Sequence, residues 1–147
     1  ELKKKRPFES PEQQAVLNLL RTNDQFQNRF GRLFREYGLT SSQYNVLRIL
    51  RGAHPGSLTC GEIGDRMVTS VPDVTRLADR LVSHRLAWKG RDESDRRVVR
   101  VEISGQGLEL LESLDDRVLA WLRELLSPLE EAEMRRMNQL LEKARQS

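Results

Sequence analysis

The side chains best suited to chemistry in this sequence lie between residues 70 and 83, where apolar residues recur at helical spacing. On such a helix Pro72 and Arg76 lie opposite the apolar face, and Thr75 and Arg80 lie on its flanks. An arginine placed there can donate two hydrogen bonds to guanine O6 and N7, a contact worth about 1–3 kcal/mol of discrimination. Thr75 and Pro72 can contact a thymine methyl group, and Ser70 can contact a phosphate. The alternative for Arg76 is an ordinary solvated helix charge.

A second group of charged side chains, Asp95, Arg96 and Arg97, follows a run of turn-forming residues. Alternating residue types on either side predict two strands, Ala87–Arg91 and Val99–Ile103, which would place the group at a hairpin tip. A tip of this width with two arginines fits the minor groove of DNA, where A·T-rich stretches concentrate negative potential. We expect Asp95 to orient Arg97, since residues two apart on a strand share a face. The alternative is a polar turn with an internal ion pair.

Other reactive residue types lack the spacing of a catalytic or metal site. Neither His54 nor His84 lies at metal-ligand spacing from Cys60. The sequence groups no nucleophile with a base and contains no glycine-rich phosphate loop. We therefore expect neither an enzyme nor a bound metal or cofactor. Cys60, at the start of a predicted helix, could sense oxidants, but a small half-buried residue is the preferred interpretation.

Charge is distributed unevenly along the 147 residues, whose formal net charge is +3. The stretch 66–100 holds nine basic and five acidic side chains, whereas 101–147 holds six basic and ten acidic ones. A positive middle segment of this kind is expected in a protein that binds a polyanion, because only the segment facing the phosphates gains from counterion release. Residues 3–6 are interpreted as a short disordered basic arm. A single cysteine, no apolar run of about 20 residues and no signal-peptide pattern predict a cytoplasmic protein without a membrane segment.

Helix-start signals predict the elements that position these side chains. The predicted N-caps are Ser10, Thr40, Thr59 and Ser70. The first helix covers residues 11–37 and ends at Gly38, while another long helix follows Ser104 and breaks near Pro128, before a last helix. Two short helices joined by a tight turn and followed by a basic hairpin form a winged helix-turn-helix, whose second helix enters the major groove.

The predicted fold class is therefore mainly α with a small β-hairpin wing. We expect a single domain over 1–147, with a winged DNA-binding part at 39–103 and dimerisation helices at 11–37 and 104–147. The terminal helices have more apolar surface than so small a core requires, which favours an intertwined homodimer. A two-fold dimer implies a pseudopalindromic double-stranded DNA operator, with half-sites about 10–10.5 base pairs apart.

Three stretches make the sequence similar to a known family. The stretches Thr-Arg-Leu-Ala-Asp-Arg-Leu at 75–81, Asp-Glu-Ser-Asp-Arg-Arg at 92–97 and Val-Glu-Ile-Ser-Gly-Gln-Gly at 101–107 resemble the MarR family of bacterial transcription regulators. The resemblance implies that Arg97 is the minor-groove arginine, that Asp95 supports it, and that the first, fifth and sixth helices form the dimer interface. It also implies a repressor that a small-molecule effector releases from DNA, without indicating which residues contact the effector.

Two positions depart from the family pattern. Arg85 stands where the family often has glycine, after the predicted fourth helix, and Ser104 replaces a frequent threonine. Two other functions remain as alternatives. One is a helical, winged module that binds protein, and the other is a chromosome-coating protein that binds DNA without sequence preference.

Overall fold

The computed structural model describes residues 10–146, so the basic arm at residues 3–6 lies outside the described part. The elements are α1 (Pro11–Arg35), α2 (Ser41–Ala53), β1 (Leu58–Thr59), α3 (Cys60–Arg66), α4 (Val74–Ser83), β2 (Ala87–Arg91), β3 (Val99–Ile103), α5 (Gly105–Leu125) and α6 (Glu131–Ala144). The mainly helical fold with a small antiparallel sheet is as predicted. Two compact units are present, one extending to Ser104 and the other from Gly105 onwards. A single domain over 1–147 stays a prediction.

Side-chain caps determine where the first two helices begin. Ser10 Oγ accepts a hydrogen bond from the backbone N–H of Gln13 at 3.2 Å, which starts α1 at Pro11. Thr40 and Gln43 form the predicted reciprocal capping box at the start of α2, with distances of 3.1 and 3.0 Å. Helix α1 stops at Arg35, two residues before the predicted end, because the chain already turns there towards Gly38, whose φ is +72°.

The core of the first unit forms around α2. Val46, Leu47 and Leu50 of this helix are fully buried, and the Phe34 ring of α1 stacks on Tyr44 with ring centroids 4.1 Å apart. The other elements of the unit add the buried side chains Ile63, Ala78, Leu81, Ala87, Val101 and Ile103. Burial of this apolar surface is the main stabilising contribution, at about 25 cal/mol per Å² removed from water.

The sheet has three antiparallel strands in the order β1-β3-β2. Leu58 of β1 pairs with Val101, and Ala87 of β2 pairs with Ile103. The sequence predicted only the β2–β3 hairpin and treated residues 57–58 as a short extended link. Successive side chains of β2 point to opposite faces of the sheet. Ala87 is fully buried, whereas the next residue, Trp88, is mostly exposed.

The second unit consists of α5 and α6. Leu111, Leu114 and Val118 recur at helical spacing along α5 and are buried. Helix α5 ends at Leu125, close to the break predicted at Pro128, and Glu133 accepts a hydrogen bond from the backbone N–H of Glu130 at 2.9 Å where α6 begins. Among the described residues, no helix is both long enough and apolar enough to cross a membrane.

Candidate nucleic-acid interface

The N-terminus of α4 differs from the sequence prediction. Asp73, rather than Ser70, caps the helix: its Oδ1 accepts a hydrogen bond from the backbone N–H of Arg76 at 2.9 Å, and the helix begins at Val74. The physical reason is Pro72, since a proline disfavours the helical conformation of the residue before it. Aspartate is as good an N-cap as serine and also complements the helix dipole. Ser70 and Pro72 are therefore exposed residues of the loop before α4, and the helical position assumed for Pro72 was wrong.

One face of α4 is buried and the opposite face is open to solvent. Ala78 and Leu81 are buried, whereas Thr75, Arg76 and Arg80 are exposed, as the helical spacing predicted. Arg76 forms no side-chain hydrogen bond or ion pair with any residue of the described part. Its guanidinium is therefore available to a partner outside the chain.

Two different neighbours flank the exposed face of α4. On one side, Asp79 forms an ion pair with Lys89 of β2, which ties the helix to the wing. On the other side, Arg80 and His84 line a pocket of about 470 Å³ together with residues at the junction of α1 and α2. The other residues that line this junction pocket are Arg35, Gly38, Leu39, Thr40, Gln43 and Ser83. The pocket lining combines two guanidinium groups and an imidazole, so its chemistry favours a small anion.

The tip of the wing places Asp95 against Arg97. The Asp95 carboxylate accepts hydrogen bonds from the backbone N–H of Arg97 at 3.1 Å, from its Nε at 3.1 Å and from its Nη2 at 3.3 Å. These hydrogen bonds hold the pKa of Asp95 below its usual range. The expected pairing is present, but its cause is a turn rather than strand alternation. Both residues precede β3, and Val98 N–H donates to the Asp95 carbonyl at 3.0 Å.

Asp92 fixes the other half of the wing turn. Its carboxylate accepts hydrogen bonds from the backbone N–H groups of Ser94 at 2.8 Å and Asp95 at 3.2 Å, and Arg100 Nε lies 3.3 Å away. The two backbone bonds and the positive charge of Arg100 lower the pKa of Asp92. Arg96 is anchored through its carbonyl, which accepts a hydrogen bond from Arg91 at 2.9 Å, so its own side chain extends from an ordered backbone.

Proteins of known family are similar to this chain in sequence and in fold. A family model described as MarR family matches residues 37–98. The crystal structure of a MarR transcription factor from Planctomyces limnophilus is 36% identical in sequence, and the match covers 92% of this chain and 98% of the other, with a TM-score of 0.73. The chain belongs to the MarR family.

Two further proteins are similar to this chain. The HTH-type transcriptional regulator PapX of Escherichia coli is 28% identical over 117 residues, which are 78% of this chain and 71% of PapX. Bordetella bronchiseptica BpsR, whose structure is described as a mechanism for regulation of DNA binding by 6-hydroxynicotinic acid, is 24% identical. That match covers 89% of this chain and 98% of BpsR with a TM-score of 0.78, and it shows the shared fold alone.

As a MarR-family member, the protein is a DNA-binding transcription regulator. The region that matches the family model contains every residue predicted to touch DNA, namely Ser70, Pro72, Thr75, Arg76, Arg80, Asp95, Arg96 and Arg97. Sequence reasoning missed the Asp79–Lys89 ion pair and the junction pocket. Opposite charges on the fourth helix and the first wing strand were a usable signal for the ion pair, whereas the pocket depends on tertiary packing.

Arg85, which stands where the MarR family often has glycine, has an unusual backbone conformation. Arg85 adopts the left-handed conformation, with φ of +60°, which explains why glycine suits this position. The turn is closed by backbone hydrogen bonds from Leu86 N–H to Leu81 at 2.9 Å and from Arg85 N–H to Val82 at 3.0 Å. Ser104, the second residue that departs from the family pattern, donates a hydrogen bond from its Oγ to the Arg85 carbonyl at 2.7 Å. The two departures are therefore in direct contact.

Proposed function

We propose that this MarR-family protein is a dimeric, sequence-specific repressor that a small organic anion releases from its operator. The observation that carries the proposal is the arrangement of two exposed arginines on connected elements. Arg76 extends from the first turn of α4, and Arg97 extends from the wing tip with Asp95 holding its guanidinium. The Asp79–Lys89 ion pair links α4 to β2, which supports a role for the two elements as one DNA-binding surface.

Each residue predicted to touch DNA takes a role that suits its place, and the role of Asp95 is to orient Arg97. Thr75 and Arg76, in the first turn of α4, contact base edges in the major groove, where an arginine can bind guanine with two hydrogen bonds. Arg97 enters the minor groove, and Arg96 contacts a phosphate. In the loop before α4, Ser70 contacts a phosphate and Pro72 contacts a thymine methyl group. Arg80, on the flank of α4, contacts the DNA backbone.

Exposed apolar side chains on the terminal helices support the dimer. Val16, Leu19 and Leu20 of α1 are 54%, 48% and 60% exposed, and Leu140 of α6 is 49% exposed. Exposed apolar side chains on each of these helices favour burial against a second copy of the chain. The dimer then binds a pseudopalindromic operator with half-sites about 10–10.5 base pairs apart. We place this regulator in the cytoplasm, where bacterial DNA is accessible.

The junction pocket is the proposed effector site. Arg35 and Arg80 supply guanidinium groups from two elements, and both can donate to a carboxylate. The regulation of BpsR by 6-hydroxynicotinic acid, a small organic acid, supports an effector of this class. The pocket is lined by both α4 and the α1–α2 junction, so a ligand that prefers one spacing of these elements shifts the population towards that spacing.

Fluorescence anisotropy on the full chain tests the DNA function. An operator is first selected from genomic fragments, and its affinity is then compared with that of a scrambled duplex at several salt concentrations. We expect at least a roughly 10³-fold preference for the operator and a steep fall in affinity with salt. Nearly equal affinities would favour a chromosome-coating protein. Absence of binding at low salt would favour a module that binds protein.

Arg76→Ala tests the base contact against a matched control. We expect it to relax the base preference by about tenfold or more at one position of each half-site. Arg145→Ala, which removes one positive charge at the end of α6, leaves that preference unchanged. If the preference of Arg76→Ala equals that of the control, Arg76 does not contact bases.

A further inference from the structure

Arg100 lies on the central strand of the sheet and contacts both α3 and the wing turn. It pairs with Thr59 of β1 on one side and with Gly90 of β2 on the other. Its guanidinium lies near two carboxylates: Nε is 3.3 Å from Oδ2 of Asp92, and Nη1 is 3.9 Å from Oε1 of Glu62. One side chain therefore joins the helix-turn-helix to the wing at a second place, besides the ion pair between α4 and β2.

The backbone places both acidic residues within reach of Arg100. Thr59 caps α3 by accepting a hydrogen bond from the backbone N–H of Glu62 at 3.1 Å, and the same threonine pairs with Arg100 in the sheet. Asp92 directly follows β2, and its backbone N–H donates to the Val98 carbonyl at 2.9 Å. A planar guanidinium with five N–H donors can contact two carboxylates at once, which a single ammonium group does less well.

Asp92 connects Arg100 to the tip of the wing. Its two carboxylate oxygens have different partners: Oδ1 accepts hydrogen bonds from the backbone N–H groups of Ser94 and Asp95, while Oδ2 lies next to Arg100. Asp95 in turn holds the guanidinium of Arg97 through its own carboxylate. Three successive contacts therefore lead from Arg100 to Arg97, and each of them involves a charged group.

We propose that Arg100 is a positioning residue, which keeps the wing turn in the conformation that presents Arg97 to DNA. This inference rests on the minor-groove role of Arg97 in the proposed function. Arg100 fixes one oxygen of Asp92, so the other oxygen stays directed at the backbone of the turn. Its positive charge also balances a carboxylate that would otherwise repel the phosphates. The contact with Glu62 holds the turn against α3, so Arg100 acts without touching DNA itself.

Backbone ¹⁵N relaxation of the full chain without DNA tests the positioning role. We expect an amide order parameter of about 0.85 for Asp95, as in rigid backbone, and a fall to about 0.6 or below in Arg100→Gln. The Nε–H group of Arg97 should become more mobile at the same time. Arg100→Lys keeps the charge and should restore part of the order, whereas Arg145→Gln at the end of α6 changes neither signal. An Asp95 order parameter that Arg100→Gln leaves unchanged would overturn the proposal.

Operator affinity shows whether the order of the wing turn matters for binding. We expect Arg100→Gln to weaken binding about threefold in the original chain and much less once Arg97 is alanine. Unchanged amide signals from α2 would show that the variants remain folded. Equal weakening in both backgrounds would show that Arg100 acts through its charge alone, which would also overturn the proposal. If Arg97→Ala itself leaves the affinity unchanged, the minor-groove contact of the proposed function fails, while the relaxation measurement still decides whether Arg100 orders the turn.

Discussion

The Asp95 carboxylate holds the guanidinium of Arg97 through two nitrogens while leaving 91% of that side chain exposed. An arginine at a loop tip ordinarily samples many rotamers, and binding then has an entropic cost. In the proposed complex with DNA, Asp95 reduces this cost before binding. Its negative charge would then also lie close to the phosphates, so its net contribution to the affinity is a balance of orientation against repulsion.

A double-mutant cycle on the wing measures this balance. We expect Arg97→Ala to weaken operator binding and to lower the slope of log affinity against log salt by about one unit for each phosphate that is no longer neutralised. Asp95→Asn should weaken binding less, and once Arg97 is alanine it should no longer weaken binding but strengthen it slightly, because only the repulsion of the phosphates is then removed. The control is Arg145→Ala, with an unchanged slope. Additive effects of Asp95→Asn and Arg97→Ala would show that Asp95 does not act through Arg97.

The titration of Asp95 should follow from its hydrogen bonds. Arg97 lowers the pKa of this exposed carboxyl, so the folded state favours the charged form. The resulting stabilisation is present above the ordinary aspartate pKa of about 3.9 and is lost as the pH falls through the lowered value. Side-chain carboxyl NMR should give a midpoint below the ordinary value, and Arg97→Ala should raise it. A midpoint that Arg97→Ala leaves unchanged would contradict the proposed cause.

Helix α4 should depend on Asp73 for its first turn. Asp73→Ala removes the cap from Arg76 N–H, so we expect a loss of about 1 kcal/mol in the free energy of unfolding. Fraying of that turn should also weaken operator binding, since it carries Thr75 and Arg76. Asp73→Asn keeps a capping oxygen and should recover most of the stability. Ser70→Ala should stay within about 0.5 kcal/mol of the original chain, and a larger loss would restore Ser70 as the cap.

The helix end at Arg85 should be improved by glycine. Arg85 has a positive φ of +60°, a conformation that costs a non-glycine residue about 1 kcal/mol. Arg85→Gly should therefore raise the free energy of unfolding by about 0.5–1 kcal/mol in urea titrations. Gly38→Ala is the matched opposite, because Gly38 has φ of +72°, and it should destabilise the protein by a similar amount. A less stable Arg85→Gly variant would indicate that the arginine side chain has a compensating role.

Local signals in the sequence predicted most of the fold. Capping residues act on backbone groups a few positions away, so Ser10 and Thr40 located two helix starts correctly. The same reasoning failed at Ser70, because two competent caps lie three residues apart and Pro72 decides between them. Strand β1 was missed because two residues are too short to show alternation.

The candidate site was predictable to the extent that its residues lie close in sequence. Asp95 and Arg97 belong to one turn, and Thr75 and Arg76 belong to one helical turn, so their relationships follow from local geometry. The ion pair between Asp79 and Lys89 joins separate elements. The junction pocket likewise brings Arg35 of α1 beside Arg80 of α4, which only tertiary packing determines.

The pairing of Leu58 with Val101 has a consequence for how DNA is released. These two residues close a loop of chain that contains α3, α4, β2, the wing turn and the first part of β3. Helix α4 is further joined to that wing by Lys89, so neither part can tilt alone without breaking a bond to the other. In the proposed complex with DNA, a ligand that displaces one of them therefore also favours displacement of the other. We expect loss of the major-groove and minor-groove contacts to be coupled rather than independent.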